Sequence, residues 1–477
     1  MTEPQEVPRR TGLLLAAVCL CQVMVVLDVS VVNVALPSIA KDLSFSPGSL
    51  SWVVNAYTLL FGGLLLLGGR FGDLIGHRRA LFLGLGVFGV VSVLGGLAQD
   101  PGQLIAARAA QGLASAVLAP LSLTIIMVTF PEGKERSRAI GIWAMVAASG
   151  SALGVLLGGV LTEWLSWRWV MWVNAPIVLL ALALGWTSIH DTRTARPSRL
   201  DVPGAVLVTL ALTSLVNGAI RAGEDGWGSA WALGSFGLAA LSGAVFIWWE
   251  LRVPEPLIRL GVFQSRPVWV ANLISAFIGA SAVAGFYFAS LVLQDVLGYS
   301  PLQAGAAFLP FCAGTVLGAM LSGRLSARFG LRSVMTVGLL CSAIGMGLFG
   351  QMHLDATFLG TFLLPSIIAS VGVGLSMVAN TSLGTTGAQQ HEAGLVSGLI
   401  NASRQCGGSL ALAALATVAL SATRASSAGD PLEALIQGYD RAFQVTAALT
   451  LVAAVLAFLY VPRPDAVQEP VAEQAVS

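Results

Sequence analysis

Apolar positions run along the chain in blocks of about twenty, separated by short polar stretches. Each block is long enough for a helix to cross a hydrocarbon layer ~30 Å thick. The blocks lie near 13–36, 50–68, 80–98, 103–128, 138–162, 169–189, 202–220, 230–249, 268–293, 302–321, 333–350, 357–379, 394–420 and 441–462. This pattern predicts an all-α membrane protein of about 14 transmembrane helices. An even number of spans puts both termini on the same side. The connections are short, the longest being about 20 residues near Ala422–Tyr439, so no soluble domain is inserted. The first block is too long for a signal-peptide core, carries Asp28 and lacks a small-residue cleavage site, so it reads as the first span.

Composition agrees with lipid as the solvent. Of 477 residues, 56% are hydrophobic and 10% charged, whereas a soluble domain carries about 25% charged residues. The 54 glycines suit membrane helices, which pack through small residues. A net charge of +1 gives no bulk attraction to nucleic acid. Cys19, Cys21, Cys312, Cys341 and Cys406 all fall in apolar runs without metal-ligand spacing and read as buried small hydrophobes. Orientation follows from Lys and Arg. One side collects Arg9, Arg10, Arg70, Arg78, Arg79, Lys134, Arg136, Arg138, Arg193, Arg196, Arg199, Arg252, Arg259, Arg266, Arg324, Arg328, Arg332 and Arg463. The other side has Lys41, Arg168, Arg221, Arg424 and Arg441. The first side is expected to be cytoplasmic, and Trp164, Trp167, Trp169 and Trp172 are expected in an outer aromatic belt.

The chain also repeats itself. Leu43, Ser46, Pro47, Gly69, Arg70, Gly76 and Arg78 recur at Leu297, Ser300, Pro301, Gly323, Arg324, Gly330 and Arg332, and Gly141 and Gly150 recur at Gly398 and Gly407. Polar loop residues repeat in register with apolar ones, which predicts two homologous six-helix bundles. The expected division is 11–190, an intervening helix pair at 202–250, a second bundle at 267–462 and a cytoplasmic tail at 463–477.

Five segments carry candidate chemistry. On span 1, LDVSVVNVALP holds Asp28 and Asn33. Asp28 is the one carboxylate that falls deep within a span, where a charge costs about 2.5–3.5 kcal/mol on insertion scales. Such a cost points to a working group, the alternative being a polar clamp between helices. On span 4, RAAQGLASAVLAP puts Arg108 and Gln111 on one helical face. Arg108 lies about 9 Å and Asp28 about 13 Å from the outer ends of their spans, so the two are expected to meet. Between spans 2 and 3, GRFGDLIGHRRAL spaces Gly69, Asp73 and Gly76 before Arg78 and Arg79. Span 5, GIWAMVAASGSALGVLLGG, starts at Gly141 and carries a stripe at Gly150, Gly154 and Gly158, with Gly159 beside it, for close helix approach. On span 13, SGLINASRQCGG places Arg404 and Gln405 about 15 Å from the cytoplasmic end, near the midplane. No local carboxylate accompanies Arg404, so a water-filled cavity, an anionic ligand group or backbone carbonyls remain as partners.

Together these segments resemble the fourteen-helix drug:proton antiporter branch of the major facilitator superfamily, over nearly the whole chain. The resemblance implies proton coupling at Asp28 and Arg108, and a cytoplasmic gate latch at Gly69, Asp73, Gly76, Arg78 and Arg79. It implies an exporter-type packing motif at Gly141, Gly150, Gly154, Gly158 and Gly159, with Asn33, Gln111, Arg404 and Gln405 as candidate cavity residues. Two departures stand out: Val155 occupies a position where that motif usually has Pro, and Ala327 replaces Asp73 in the second copy of the loop. The function implied is proton-coupled efflux of small hydrophobic drugs or antibiotics across a bacterial inner membrane by a monomer. Its partners are the substrate, protons and the bilayer, without nucleic acid, cofactor or metal. The alternative is transport of a cellular metabolite. An enzyme is not expected, because neither a metal-type cluster nor a Walker-type phosphate loop occurs.

Overall fold

A computed structural model of the chain describes residues 11–46, 48–189, 200–351, 358–386 and 392–462. Pro47, Arg9, Arg10, Arg193, Arg196, Arg199, Arg463, His190, His353, His391 and the tail 463–477 lie outside the described residues.

Fourteen helices among the described residues are long and apolar enough to span a bilayer. In chain order they are α1 Thr11–Asp42, α2 Ser49–Ile75, α3 His77–Gly96, α4 Pro101–Thr129, α5 Lys134–Trp164, α6 Arg168–Ser188, α7 Val202–Asp225 and α8 Ala230–Glu250. They continue with α9 Arg266–Val296, α10 Pro301–Phe329, α11 Leu331–Phe349, α12 Phe358–Thr386, α13 Gly394–Ala425 and α14 Pro431–Tyr460. Their ends follow local chemistry. Asp100 caps α4 by accepting from Gln103 N at 3.0 Å, with Pro101 behind it. Ser300 caps α10 in a reciprocal capping box with Gln303. Gly76 and Gly330, equivalent in the repeat, turn the chain at φ 97° and 81°, a region that suits glycine.

The packing repeats as the sequence does. In the first half α1 packs on α4, α5 and α6, α4 on α2 and α3, and α3 on α6. The same six pairings recur among α9 to α14. The halves meet along two related seams, α2 with α13 and α5 with α10, and α1 touches α9 between them. Of the intervening pair, α7 lies against α2 and α13, while α8 packs chiefly on α7. The bundle has two poles. One carries Gly76, Lys134 and the α8–α9 connection and is called the arginine pole; the other carries Trp164, Arg168 and Ser300 and is called the tryptophan pole.

Two expectations need correction. The long connection expected at 422–439 is absent: α13 continues to Ala425 and α14 starts at Pro431, capped by Asp430, leaving 426–430 as the turn. Hydropathy missed this because the helices extend as polar turns beyond the apolar core. The longest described connection is 251–265, which includes a short helical turn at Leu260–Gln264. Trp164 and Trp169 are exposed as a belt requires, but Trp167 is buried. Its Nε1 donates to Asp42 Oδ2 at 2.8 Å, beside the Arg168–Asp42 ion pair at 2.6 Å, so it ties α6 to α1.

Candidate functional site

The deepest polar cluster forms where α1, α4 and α6 converge in the first bundle. Asp28 is fully buried and Arg108 is 2% exposed. Arg108 Nη1 donates to Asp28 Oδ2 at 2.5 Å and to Gln111 Oε1 at 2.7 Å, and its Nε donates to the Val53 carbonyl at 3.1 Å. The Asp28 Oδ1 accepts from Asn174 Nδ2 at 2.8 Å and from Gln111 Nε2 at 3.2 Å. Gln111 Nε2 also donates to Ser92 Oγ at 2.7 Å. The Tyr57 ring lies 4.4 Å from the Arg108 guanidinium, a cation–π distance. Tyr57 donates its hydroxyl hydrogen to Ser115 Oγ at 2.8 Å. Both carboxylate oxygens therefore have donors and the cation has carbonyl, carboxylate and ring partners. A desolvated ion pair is tolerated only with such completeness.

Local sequence explains the placement. Arg108 and Gln111 are one helical turn apart on α4 and present both donors to α1. Asn174 opens the second helical stretch of α6, Asn174–Ser188, at the bend after Arg168–Trp172. Asn174 was not singled out in the sequence. An Asn in an apolar span was the available signal, but its Cα is far from Asp28 in sequence and only the fold joins them. Tyr57 belongs to this core, and Tyr287, Phe308 and Phe311 are likewise buried.

The glycine stripe of α5 lies directly on α1 around Asp28. A Cβ at Gly154 would lie 3.0 Å from the Leu27 carbonyl, and one at Gly158 would lie 2.8 Å from the Val31 carbonyl. Gly150 is in ordinary contact with Val23 and Val26 at 3.5 Å. Gly159 looks the other way: a Cβ there would sit 2.7 Å from the Pro301 carbonyl of α10. Gly141 has nothing within 4 Å of its Cβ position, so it makes no packing contact here. Val155 is fully buried, its carbonyl against Gly305, and α5 runs unbroken through it.

The two halves are closed together at the tryptophan pole. Glu163 at the end of α5 accepts from Leu302 N, at the start of α10, at 2.9 Å. Ser290 Oγ on α9 donates to the Asn33 carbonyl at 2.7 Å, and Gln294 Nε2 donates to the Val34 carbonyl at 2.9 Å. Toward the arginine pole the α5 stripe that meets α10 loses cover. Val155 and Gly159 are buried, whereas Ala148, Ala144 and Gly141, on the same face, are exposed. The seam between α2 and α13 is held by the short Thr58–Ser409 hydroxyl contact and by Gly62, whose Cβ position lies 2.9 Å from Gln405 Cβ and Cys406 Sγ.

The remaining candidates fall as follows. Asn33 bonds back to the Val29 carbonyl at 2.8 Å and is buried. Gln111 belongs to the Asp28 cluster, so neither side chain lines open space in this arrangement. Arg404 is partly buried on α13, and its guanidinium donates to Asn401 Oδ1 at 2.7 Å. In the loop at the arginine pole, Asp73 Oδ1 lies 3.2 Å from His77 Nε2. Arg78 donates to the Trp186 carbonyl at 3.1 Å and stacks over the Phe82 and Trp186 rings. The glycine under steric pressure is Gly68, whose Cβ would strike the Ala116 carbonyl, whereas Gly69 has only a 3.9 Å neighbour, Pro120 Cβ.

A helical bundle with a pseudo-repeat, two seams and one sealed ion pair in its first half defines a secondary transporter architecture. The chain belongs to the Major Facilitator Superfamily, whose profile it matches over residues 18–412. It is 43% identical over 451 residues to the cephamycin export protein CmcT of Amycolatopsis lactamdurans, covering 94% of this chain and 91% of that one. It is 39% identical over 467 residues to the puromycin resistance protein pur8 of Streptomyces alboniger, covering 95% and 92%. Among solved structures, its fold is similar to that of a bacterial homologue of the human lysosomal transporter Spinster in an inward-facing, unoccupied conformation. The TM-score is 0.69 at 19% identity, covering 96% of this chain and 98% of that one.

Proposed function

We propose that this protein exports small hydrophobic drugs or antibiotics across the bacterial cytoplasmic membrane in exchange for protons, working as a monomer and without a cofactor. The observation that carries the reading is the sealed Asp28–Arg108 pair with the α5 glycine stripe packed on the same turns of α1. The export named for CmcT and the resistance named for pur8, relatives matched along their length, support the direction. On this reading the arginine pole, where α1 begins and α14 ends, faces the cytoplasm.

The cycle follows from the contacts. With the tryptophan pole closed, Asp28 is ionised, held by Arg108, Gln111 and Asn174, and shielded from water. Drug enters from the arginine pole, where the α5–α10 seam is uncovered. Rocking the halves breaks the Glu163–Leu302 and Ser290–Asn33 contacts and slides α5 along α1. That movement loosens the donors around Asp28 and wets it from outside. A proton then takes the place of Arg108 as the charge partner, and drug leaves. Return to the closed arrangement restores the ion pair and releases the proton inward. The loop of Gly69, Asp73, Gly76, Arg78 and Arg79 latches the arginine pole when that pole closes. A single deep acid gives one proton per cycle, which makes export of a neutral drug electrogenic. The test is transport in proteoliposomes with an imposed pH gradient and a pH-sensitive dye. Gradient-driven drug movement opposite to proton flow is expected. Co-directional movement would reassign the protein to uptake.

A further inference from the structure

A second pair of acids lies far from Asp28, at the arginine pole where the intervening helices join the second bundle. Asp201 is 3% exposed and Glu250 is 5% exposed. Asp201 caps α7: its Oδ1 accepts from Gly204 N at 3.0 Å and from Trp249 Nε1 at 2.8 Å. Its Oδ2 accepts from Leu257 N at 3.1 Å. Glu250, the last residue of α8, accepts from Ile258 N at 3.1 Å through Oε2. Its Oε1 is buried with no donor. That unpartnered oxygen and Asp201 Oδ2 crowd the same side of Gly204, where a Cβ would strike both. The two carboxyl groups are therefore neighbours across Gly204.

Two carboxylates cannot both stay ionised side by side in a buried site. The donors decide which is charged. Asp201 has three; burial works to raise its carboxyl, but the hydrogen bonds it accepts from Trp249, Gly204 and Leu257, with the Glu250 carboxyl beside them, outweigh burial and hold it below the usual aspartate value. Glu250 has one donor and one empty oxygen, so it is the proton carrier. The other charged side chains nearby are Arg70 on α2 and Arg252, Glu255 and Arg259 in the connection. Arg70 donates to the Pro256 carbonyl at 2.9 Å, and Arg252 lies 4.3 Å over the Trp248 ring. Among the described residues neither acid forms an ion pair with them.

We propose that Asp201 and Glu250 are a proton-binding site, holding one proton between them, that clasps the α7–α8 pair to the 251–262 connection. The clasp matters because that connection is a three-way joint. Leu257 and Ile258 give their amides to the two acids, Pro256 receives Arg70 from the first bundle, and the chain then enters α9 of the second. Losing the proton puts two buried negative charges in contact, and the connection is released on the alkaline side.

Two measurements on the full-length protein in nanodiscs test this. Infrared difference spectra on raising the pH should show loss of a deuterium-sensitive protonated-carboxyl band that is absent in Glu250→Gln. Hydrogen exchange at Leu257 and Ile258, corrected for intrinsic rates, should accelerate with rising pH in the natural protein by about tenfold or more, the scale of one hydrogen bond to a charged group. Glu250→Gln keeps a neutral donor and should stay protected across the range, while Glu250→Ala should be unprotected throughout. If Glu250→Gln fails to insert, Asp201→Asn gives a second test: the carrier remains but loses the negative charge beside it, so the band should disappear at lower pH than in the natural protein. A band that persists in Glu250→Gln, a band whose loss does not move in Asp201→Asn, or natural-protein protection that does not change with pH, overturns the proposal.

Discussion

Asp28→Asn is the substitution that most directly tests the coupling mechanism. The amide keeps the shape of the carboxylate, and its oxygen can still accept from Asn174 and Gln111. What it removes is the charge opposite Arg108, which is 2% exposed and has Asp28 as its ion-pair partner. Stripping one partner from a buried pair costs roughly 3–5 kcal/mol because the other charge stays buried and uncompensated. At 1.4 kcal/mol per factor of ten, the arrangement closed at the tryptophan pole loses about 100-fold or more in relative population. Two results are expected. Gradient-driven drug accumulation and drug-induced proton movement vanish in proteoliposomes, while equilibrium drug binding changes by no more than a few-fold, because the site of the change is sealed away from the uncovered seam. Distances between labels on α5 and α10 at the tryptophan pole should widen. Asp28→Glu, which retains a titratable group, should keep partial transport. Undiminished gradient-driven accumulation by Asp28→Asn would refute the reasoning and move coupling elsewhere, with Asp295, at the end of α9, and Glu163 the next groups to examine.

Other substitutions separate packing from chemistry. Asn174→Ala removes a hydrogen bond to a charged group, worth about 1.5–3 kcal/mol, and should slow coupled export at least several-fold with normal expression; an unchanged rate would make Asn174 incidental. Gly158→Leu and Gly154→Leu should abolish export by forcing α5 off α1, whereas Gly141→Leu, facing open space, should insert and retain transport; normal export by either of the first two would show that the α1–α5 contact is dispensable. Glu163→Gln should raise the accessibility of cysteines placed at the tryptophan pole, since a neutral amide is a poorer acceptor for the Leu302 amide; no change would place closure in the α1–α9 contacts instead. Asp73→Asn should weaken transport at full expression, the loss of a helix-end interaction being about 0.3–2 kcal/mol, and full transport would remove the latch role.

The sequence by itself determined the spans, because a residue in lipid must be apolar whatever its neighbours and a helix must satisfy its own backbone. It also determined the repeat, since Gly76 and Gly330 answer to the same local turn, and it singled out Asp28 and Arg108, because a charge in an apolar run is visible without any fold. Tertiary structure decided who meets whom. Asn174, Ser92 and Tyr57 complete the Asp28 cluster from three other helices, and no local pattern on those helices says that they meet it. The same holds for Glu163, which reads as an outer-edge acid until α10 brings the Leu302 amide to it. Trp167 reads as belt until Asp42 of α1 turns it inward, and Asp201 and Glu250, far apart along the chain, share one buried site only because α7 packs against α8. Hydropathy measures a residue against lipid or water, whereas these contacts depend on which helix faces, positioned by glycines at backbone distance, end up opposed.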